Sequence, residues 1–416
     1  MPSLTAIRGF KDILPKDIPY WRLIEEKARE IAKRHSYREI RPPVLERTAL
    51  FSRGIGEATD IVEKEMYTFE DRSGDKITMR PEATAGVTRA AIEHNLLEAG
   101  RALKVFSLGP MFRYERPQKG RLRQFHQLDV EAYGDPGPYV DAEVIGLLYE
   151  FLKSLGLKDL ILVLNTLGCP VCRPAYRQAL VSYLEAHFSD LCPDCQRRME
   201  LNPLRVLDCK NPGCRAIVLN SPKIGDFLCE PCRTHFSQLT EALSILEIES
   251  HLDPYLVRGL DYYTRTAFEV HAGGLGAQNA VAGGGRYDGL VSALGGPDTP
   301  GIGFAVGLER LVLLLAQNEL IEEGPEWYLA ILSQEAIELS LKIASSLRAN
   351  GHAVACDWEP GSLKSRLKRA DKMHALKVLM LGDDEVKGSY VTVRDMATGE
   401  QEKLPIESFT GQKNAI

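Results

Sequence analysis

The sequence predicts an α+β protein in three parts: a core built on an antiparallel sheet flanked by helices, a helical cysteine-rich insertion, and a small C-terminal α/β domain. Three observations carry this. Two strand-like runs, 105–115 and 123–133, are joined by a polar segment too short for a useful helix, which makes a strand–loop–strand unit. Eight of the nine cysteines fall between Cys169 and Cys232. The last stretch, about 90 residues, alternates strand and helix with short loops.

In chain order, Ile18, Trp21, Ile24, Ala28 and Ile31 recur at helical spacing and predict an amphipathic helix over 18–32. A strand follows over 37–45. Pro42 and Pro43 cannot both sit in a central ladder, so it is an edge strand or a strand end. The segment 69–80 reads as a hairpin turning at 71–75, closed by Pro81, with a helix over 83–97. After the strand–loop–strand unit come a helix over 139–155 and a strand over 160–164. Strand character returns at 267–271, after the insertion. A glycine-rich stretch follows, including Gly273, Gly274, Gly276 and Gly283 to Gly285, and a helix begins over 308–315. The acidic segment 318–326 reads as a linker. Beyond it, strands at 327–332, 352–355, 376–381 and 390–394 are separated by helices at 335–350 and 363–374. The expected boundaries are 1–165 with 251–320 for the core, 166–250 for the insertion and 327–416 for the terminal domain.

A length of 416 residues fits two or three domains. Hydrophobic residues at 44% and charged residues at 26% exclude disorder and collagen-like structure. With 57 acidic against 51 basic residues, a charge-driven nucleic-acid coat is excluded, and any nucleic-acid contact must use local basic patches. No apolar run approaches the roughly 18 residues needed to span a membrane. The first residues carry charge where a signal peptide needs an apolar core, so a cytoplasmic protein is expected. There, cysteines argue for metal ligands or free thiols before disulfides.

Side chains on one strand face recur every two residues, so Arg113 and Glu115 share a face, as do Phe125, Gln127, Asp129 and Glu131. Burying such charges without partners costs several kcal/mol, on the order of what a fold can spare. The mixture suits a charged, planar ligand; the alternative is a solvated face with surface ion pairs. The loop between the strands adds Arg116, Lys119, Arg121 and Arg123 with no acid, which suits phosphate. Further on, Arg258, Asp261, Tyr262 and Tyr263 combine a carboxylate or phosphate clamp with orienting hydroxyls. Three glycines at 283–285 imply a close backbone approach, without the spacing of a phosphate-binding loop. The run 301–310 reads as a strand passing into a helix that carries Arg310 in its first turns.

Two clusters remain. Lys364, Lys368 and Lys372 recur at helical i, i+4 spacing, a solvated face or an RNA-backbone contact. The cysteine pairs Cys169/Cys172, Cys192/Cys195, Cys209/Cys214 and Cys229/Cys232 suit one or two tetrahedral structural Zn²⁺ sites, with reduced thiols as the alternative. Cys356 stands alone and is expected in the core.

At this point a resemblance is specific. Phe112-Arg-Tyr-Glu115 with the following Arg-Gln-Phe-His-Gln resembles motif 2 of the class II aminoacyl-tRNA synthetases; 301–310 resembles motif 3, and the helix leading into Arg-Pro-Pro43 resembles motif 1. The runs 258–264 and 282–288 resemble the two signature motifs of its histidyl-specific branch, and the match extends from Gly9 to the C-terminus. The resemblance implies a six-stranded antiparallel sheet, an anticodon-binding terminal domain, a homodimer formed through motif 1, and the ligation of L-histidine to tRNA-His using ATP and Mg²⁺. It implies that Arg113 and Arg310 hold the ATP phosphates, that Phe125 stacks on adenine and that Glu115 contacts its edge. Glu82, Thr84 and Gln127 would hold the histidine amino group, Arg258 its carboxylate and the α-phosphate, and Glu131 with Tyr262 and Tyr263 its imidazole. Arg116, Gln118, Arg121 and Arg123 would face the tRNA acceptor end, and the three lysines, in the anticodon-binding domain, would contact the RNA backbone. Imidazole offers one donor and one acceptor, so a site built for both rejects apolar amino acids by about 10⁴–10⁵ and needs no editing domain. Two other readings compete: a synthetase-like regulatory subunit of ATP phosphoribosyltransferase, and a zinc-ribbon nucleic-acid-binding protein. The first typically lacks the terminal domain and parts of these motifs; the second leaves most of the chain unexplained.

Overall fold

The computed structural model describes residues 4–57, 59–118, 120–273, 280–317 and 324–410. Lys119, Gly274, Gly276 and 318–323 of the expected linker lie outside them. The chain divides into two compact units, Met1–Glu319 and Leu320–Ile416.

In the first unit, α1 (Ile18–Arg34) buries Trp21, Ile24, Ala28 and Ile31, the residues at helical spacing. The expected strand at 37–45 is divided by its prolines into β1 (Arg38–Glu39) and β2 (Leu45–Arg47), which join different sheets. After α2 (Thr48–Ile55), the hairpin β3 (Tyr67–Glu70) and β4 (Lys76–Met79) completes a three-stranded sheet in the order β2-β4-β3. The helix α3 (Thr84–Glu93) is followed by β5 (Leu103–Phe112), β6 (Gln124–Tyr133), α4 (Pro138–Ser154) and β7 (Ile161–Thr166). The insertion contributes α5 (Arg173–Glu185), α6 (Pro193–Leu201), α7 (Pro212–Val218) and α8 (Glu230–Ile245). The chain returns through β8 (Ser250–Leu252), β9 (Thr264–His271), β10 (Ala280–Arg286), α9 (Leu290–Ala293), β11 (Gly301–Gly307) and α10 (Leu308–Leu315).

The large sheet runs β1-β5-β6-β11-β10-β9-β7-β8. Its six inner strands are antiparallel throughout, as expected, and β1 and β8 add parallel edges. One face is apolar: Leu128, Val130, Phe268, Val270, Ile302, Phe304 and Val306 pack against residues of α1, α4, α8 and α10. Burying this face supplies the main driving force for the unit, at roughly 25 cal/mol per Å². The other face carries the alternate residues of the same strands and lines a cavity.

Close approach explains the glycines of β10. A Cβ on Gly283 would run into the Arg258 guanidinium, one on Gly284 into the Gly303 carbonyl oxygen, and one on Gly285 into Thr266 and Tyr263. The next residue, Arg286, is fully buried and donates to Asp141 of α4, which also accepts from Thr266 Oγ1 (2.5 Å) and faces His235 of α8 (2.9 Å). This network ties the last insertion helix to the sheet, and pairing is what makes so deep a charge tolerable.

The second unit is a five-stranded mixed sheet, β13-β12-β14-β15-β16, built from β12 (Trp327–Ile331), α11 (Ala336–Ala349), β13 (Val354–Cys356), α12 (Leu363–Lys372), β14 (Lys377–Leu381), α13 (Asp383–Gly388), β15 (Tyr390–Asp395), β16 (Gln401–Pro405) and α14 (Glu407–Thr410). The first three strands pair parallel and the last two antiparallel. Neither α13 nor β16 is anticipated by the sequence. α13 is short and held by Glu385, which accepts from Gly382 N and Thr392 Oγ1, and β16 is an exposed polar edge without an apolar alternation. Cys356 packs beside the core of this unit.

Candidate active site

The polar face of the large sheet, α3, the 258–263 loop and part of the insertion enclose a cavity of about 830 Å³. The floor is kept low by small residues, since Gly303, Ala305 and Gly307 of β11 alternate with the core residues Ile302, Phe304 and Val306. Glu82, Thr84, Arg113, Glu115, Arg121, Phe125, Gln127, Arg258, Tyr262, Tyr263 and Arg310 line this cavity, together with Asp129, Glu269 and Tyr287.

Glu82 sits at the entrance to α3, where its carboxylate accepts from the amides of Thr84 (2.8 Å) and Ala85 (3.0 Å). Those are donors the first helical turn cannot satisfy itself. Thr84 Oγ1 donates to Glu131 (2.6 Å), and the Tyr287 hydroxyl donates to the other Glu131 oxygen. Burial pushes the Glu82 and Glu131 carboxyls up from their ordinary range, while these donors hold the carboxylate form back toward it. Burial also raises Tyr262, Tyr263 and Tyr287, so all three present neutral hydroxyls.

Beside them lie two unsatisfied acceptors, Asp129 Oδ2 and Gln127 Oε1, which have no internal partner among the described residues. Asp129 is 1% exposed, and burial together with the neighbouring Glu82 charge pushes its carboxyl well up. An orphaned carboxylate oxygen on a cavity wall is an acceptor site for a ligand cation.

The guanidinium groups are held individually. Arg113 donates from Nε to Pro81 O (2.8 Å) and lies over the Phe125 ring at 5.2 Å. Arg258 forms an ion pair with Glu269. Burial works most strongly against the charge of Arg258, but Glu269 together with Tyr263 and Tyr262 outweighs it and raises its pKa; Arg258 with His271 and Arg310 likewise holds Glu269 below its ordinary value despite burial. Arg310, in the first turn of α10, donates to Ala280 O. Its neighbour Glu309 accepts from His126 N and Nδ1, which fixes that turn against β6.

The period-two pairing of Arg113 with Glu115 is corrected, because β5 ends at Phe112. Both residues still reach the cavity, through a turn in which Arg113 N donates to Arg123 O and Glu115 N to Arg113 O. The basic loop is less open than its composition suggests. Arg121 pairs with Glu115 (3.2 Å), and Arg123 donates to Glu115 O while covering Tyr114 at 3.7 Å. Gln118 and Arg121 exchange backbone hydrogen bonds, and Arg116 is exposed.

In the second unit Lys364, Lys368 and Lys372 are all exposed along α12. Arg366 on the same helix is buried against Asp357 (2.7 Å) and is structural. The cysteines group as two tetrads, Cys169/Cys172/Cys229/Cys232 and Cys192/Cys195/Cys209/Cys214, the outer sequence pairs together and the inner pairs together.

The residues that sequence reading missed are Tyr287 and Glu269; Asp129 is read there, from its two-residue spacing with Gln127 and Glu131, as part of the ligand-facing strand face, without a role of its own. Tyr287 and Glu269 owe their places to the fold.

Comparisons with known proteins agree. A family model described as Histidyl-tRNA synthetase matches residues 9–171 and 218–311, and one described as Anticodon binding domain matches 326–412. The chain is 50% identical to a histidine–tRNA ligase of Desulfosudis oleivorans over 98% of this chain and 97% of that protein. It is also 50% identical to one of Moorella thermoacetica over 96% and 95%. The crystal structure of apo S. aureus histidyl-tRNA synthetase superposes with a TM-score of 0.82 at 37% identity, covering 98% of this chain and all of that one. A Bacillus halodurans C structure titled as an ATP phosphoribosyltransferase regulatory subunit/histidyl-tRNA synthetase shares the fold at 22% identity and TM-score 0.65. With a matching family model over most of its length and relatives at half identity end to end, the chain belongs to the histidyl-tRNA synthetase family.

Proposed function

We propose that this cavity activates histidine with ATP to histidyl-adenylate and transfers the histidyl group to the 3′ end of tRNA-His, making the protein a histidine–tRNA ligase. The observation that carries the reading is the meeting of Arg113, Arg258 and Arg310 with the Glu131–Thr84–Tyr287 cluster in one cavity.

The imidazole lies against Glu131, whose carboxylate accepts its N–H, with a hydroxyl of Tyr262 or Tyr263 donating to the other ring nitrogen. The histidine ammonium lies among Glu82, Thr84, Gln127 and Asp129, the last two offering the buried acceptors that lack an internal partner. Arg258 takes the histidine carboxylate and the α-phosphate, Arg113 the α-phosphate, and Arg310 the far end of the triphosphate. Phe125 receives the adenine face and Glu115 its edge.

A carboxylate oxygen of histidine attacks the α-phosphorus, the bond to the bridging oxygen breaks, and pyrophosphate leaves. The terminal ribose hydroxyl of the tRNA then attacks the activated carbonyl, and AMP leaves. Positioning and fixed positive charge do the catalytic work. Mg²⁺ supplies further charge neutralisation on the phosphates when bound, and Glu115 and Glu269 are cavity carboxylates of the hard-oxygen type it takes.

The acceptor end of the tRNA meets Arg116, Gln118, Arg121 and Arg123, and the second unit reads the anticodon side with Lys364, Lys368 and Lys372. The eight paired cysteines hold structural zinc, and the enzyme works as a cytoplasmic homodimer. ATP–pyrophosphate exchange with each of the twenty amino acids tests the reading. Exchange with histidine alone is expected; silence with all twenty would favour a regulatory, non-catalytic role.

A further inference from the structure

We propose that the insertion binds two zinc ions, one in each cysteine tetrad, and that the two sites brace the histidine-binding loop 258–263 from its two ends. The brace rests on the reading of the cavity as the histidine site; the metal sites stand on the thiols alone.

The geometry is that of tetrahedral thiolate sites. All four sulfurs of each tetrad lie within 4.8 Å of one another. Cys169 Sγ is 3.7 Å from Cys172 Sγ and 3.8 Å from Cys229 Sγ, and Cys192 Sγ is 3.9 Å from Cys209 Sγ. A tetrahedron with zinc–sulfur bonds of about 2.3 Å has edges of about 3.8 Å. Disulfide sulfurs would stand about 2.0 Å apart. Backbone amides already donate to two of the sulfurs, Cys229 N to Cys172 (3.2 Å) and Cys192 N to Cys214 (3.1 Å), the outer contacts that stabilise a metal-bound thiolate. Cys172, Cys192 and Cys229 each sit immediately before a helix, where the dipole favours the anionic sulfur.

Each tetrad is one step from the loop. Arg173, next to Cys172, donates to Leu167 O (3.1 Å) and to Tyr263 O. Between Cys195 and Cys209, Arg205 donates to Arg258 O (2.9 Å) and Asn202 Nδ2 to Asp261 Oδ1 (2.7 Å). The segment carrying the carboxylate clamp and the imidazole-facing tyrosines thus hangs on side chains whose backbone the tetrads fix. Arg173, Arg205 and Asn202 are positioning residues: they reach the substrate only through this loop.

The full-length enzyme as purified should contain two zinc ions per chain by elemental analysis, and a thiol reagent should find only Cys356 until a chelator is added. Cys192→Ser/Cys214→Ser should keep one zinc and raise the histidine KM about tenfold or more, with the ATP KM little changed. Because that variant also disturbs the core of the insertion, Arg205→Ala supplies the second arm, with both zinc ions retained and the same selective rise in histidine KM. Less than one zinc per chain with all nine thiols freely reactive would overturn the metal sites. Two zinc ions with an unchanged histidine KM in both variants would overturn the brace. Absence of histidine-dependent exchange in the wild type would instead overturn the reading on which the brace rests, leaving the metal count intact.

Discussion

Tyr287 donates its hydroxyl to Glu131 on the floor of the cavity, opposite the Thr84 hydroxyl on the other carboxylate oxygen. This pair orients the carboxylate proposed above to accept the imidazole N–H. Tyr287→Phe removes a hydrogen bond to a buried charge, a loss of about 1.5–3 kcal/mol, or roughly 10- to 100-fold. The histidine KM in pyrophosphate exchange should rise by that factor with the ATP KM nearly constant. Equal changes in both constants would contradict an orienting role.

Arg258 fills the space that Gly283 leaves beside it. Arg258→Ala should lower histidine-dependent exchange by about 10²–10³ or more with the fold intact by circular dichroism. Gly283→Ala keeps the guanidinium but pushes it aside, so it should cost about 10–100-fold in exchange with only a small change in melting temperature. Wild-type rates in either variant would remove Arg258 from the chemistry.

Asp129 gives a pH signature. Burial and the Glu82 charge raise its folded pKa above the unfolded value, against the opposing pull of Arg80 and Arg113. Its contribution to stability is therefore fully present below the unfolded pKa and is lost as pH rises through the folded one. Asp129→Asn does not titrate. In the ligand-free enzyme it should match the wild type near pH 4, where an unfolded aspartate titrates. At higher pH it should gain on the wild type, by on the order of 1–3 kcal/mol. Thermal melts across pH measure this directly, and a gap that stays constant or shrinks toward neutral pH would refute it.

Replacing Lys364, Lys368 and Lys372 together with alanine should leave pyrophosphate exchange untouched and weaken tRNA aminoacylation. Each lost phosphate contact should flatten the salt dependence of tRNA binding by about 0.7–0.9 in log–log slope. An unchanged slope would mean that this exposed helix face meets only water.

Strong periodicity made much of this fold legible. The spacing of Trp21, Ile24 and Ile31 placed α1, and alternation placed β6 with its apolar and polar faces correctly divided. Arg113, Arg258 and Arg310 were legible as cavity residues because each sits in a motif with fixed spacing. The sequence could not reveal that β5 stops at Phe112, because the loop is held by Arg123 and Glu115 backbone contacts set by the fold. Nor could it show that the glycines at 283–285 accommodate the protein's own Arg258 and Tyr263 rather than a ligand. The nested grouping of the cysteines was equally hidden, since spacing within a pair says nothing about which pairs meet. Arg366 and the three lysines occupy one basic helix in sequence, and only burial separates the structural cation from the exposed ones.

The contact between Cys169 and Cys229 draws the outgoing and returning chain together like a purse-string. Whatever lies beyond that neck is already a closed loop, and the entropy of closing a loop grows only with the logarithm of its length. Length can therefore be added at the exposed turns of this lobe at little thermodynamic expense, while Asn202 and Arg205, which reach the 258–263 loop, stay tied to the site. The family model, which stops at 171 and resumes at 218, breaks off within this tied-off lobe.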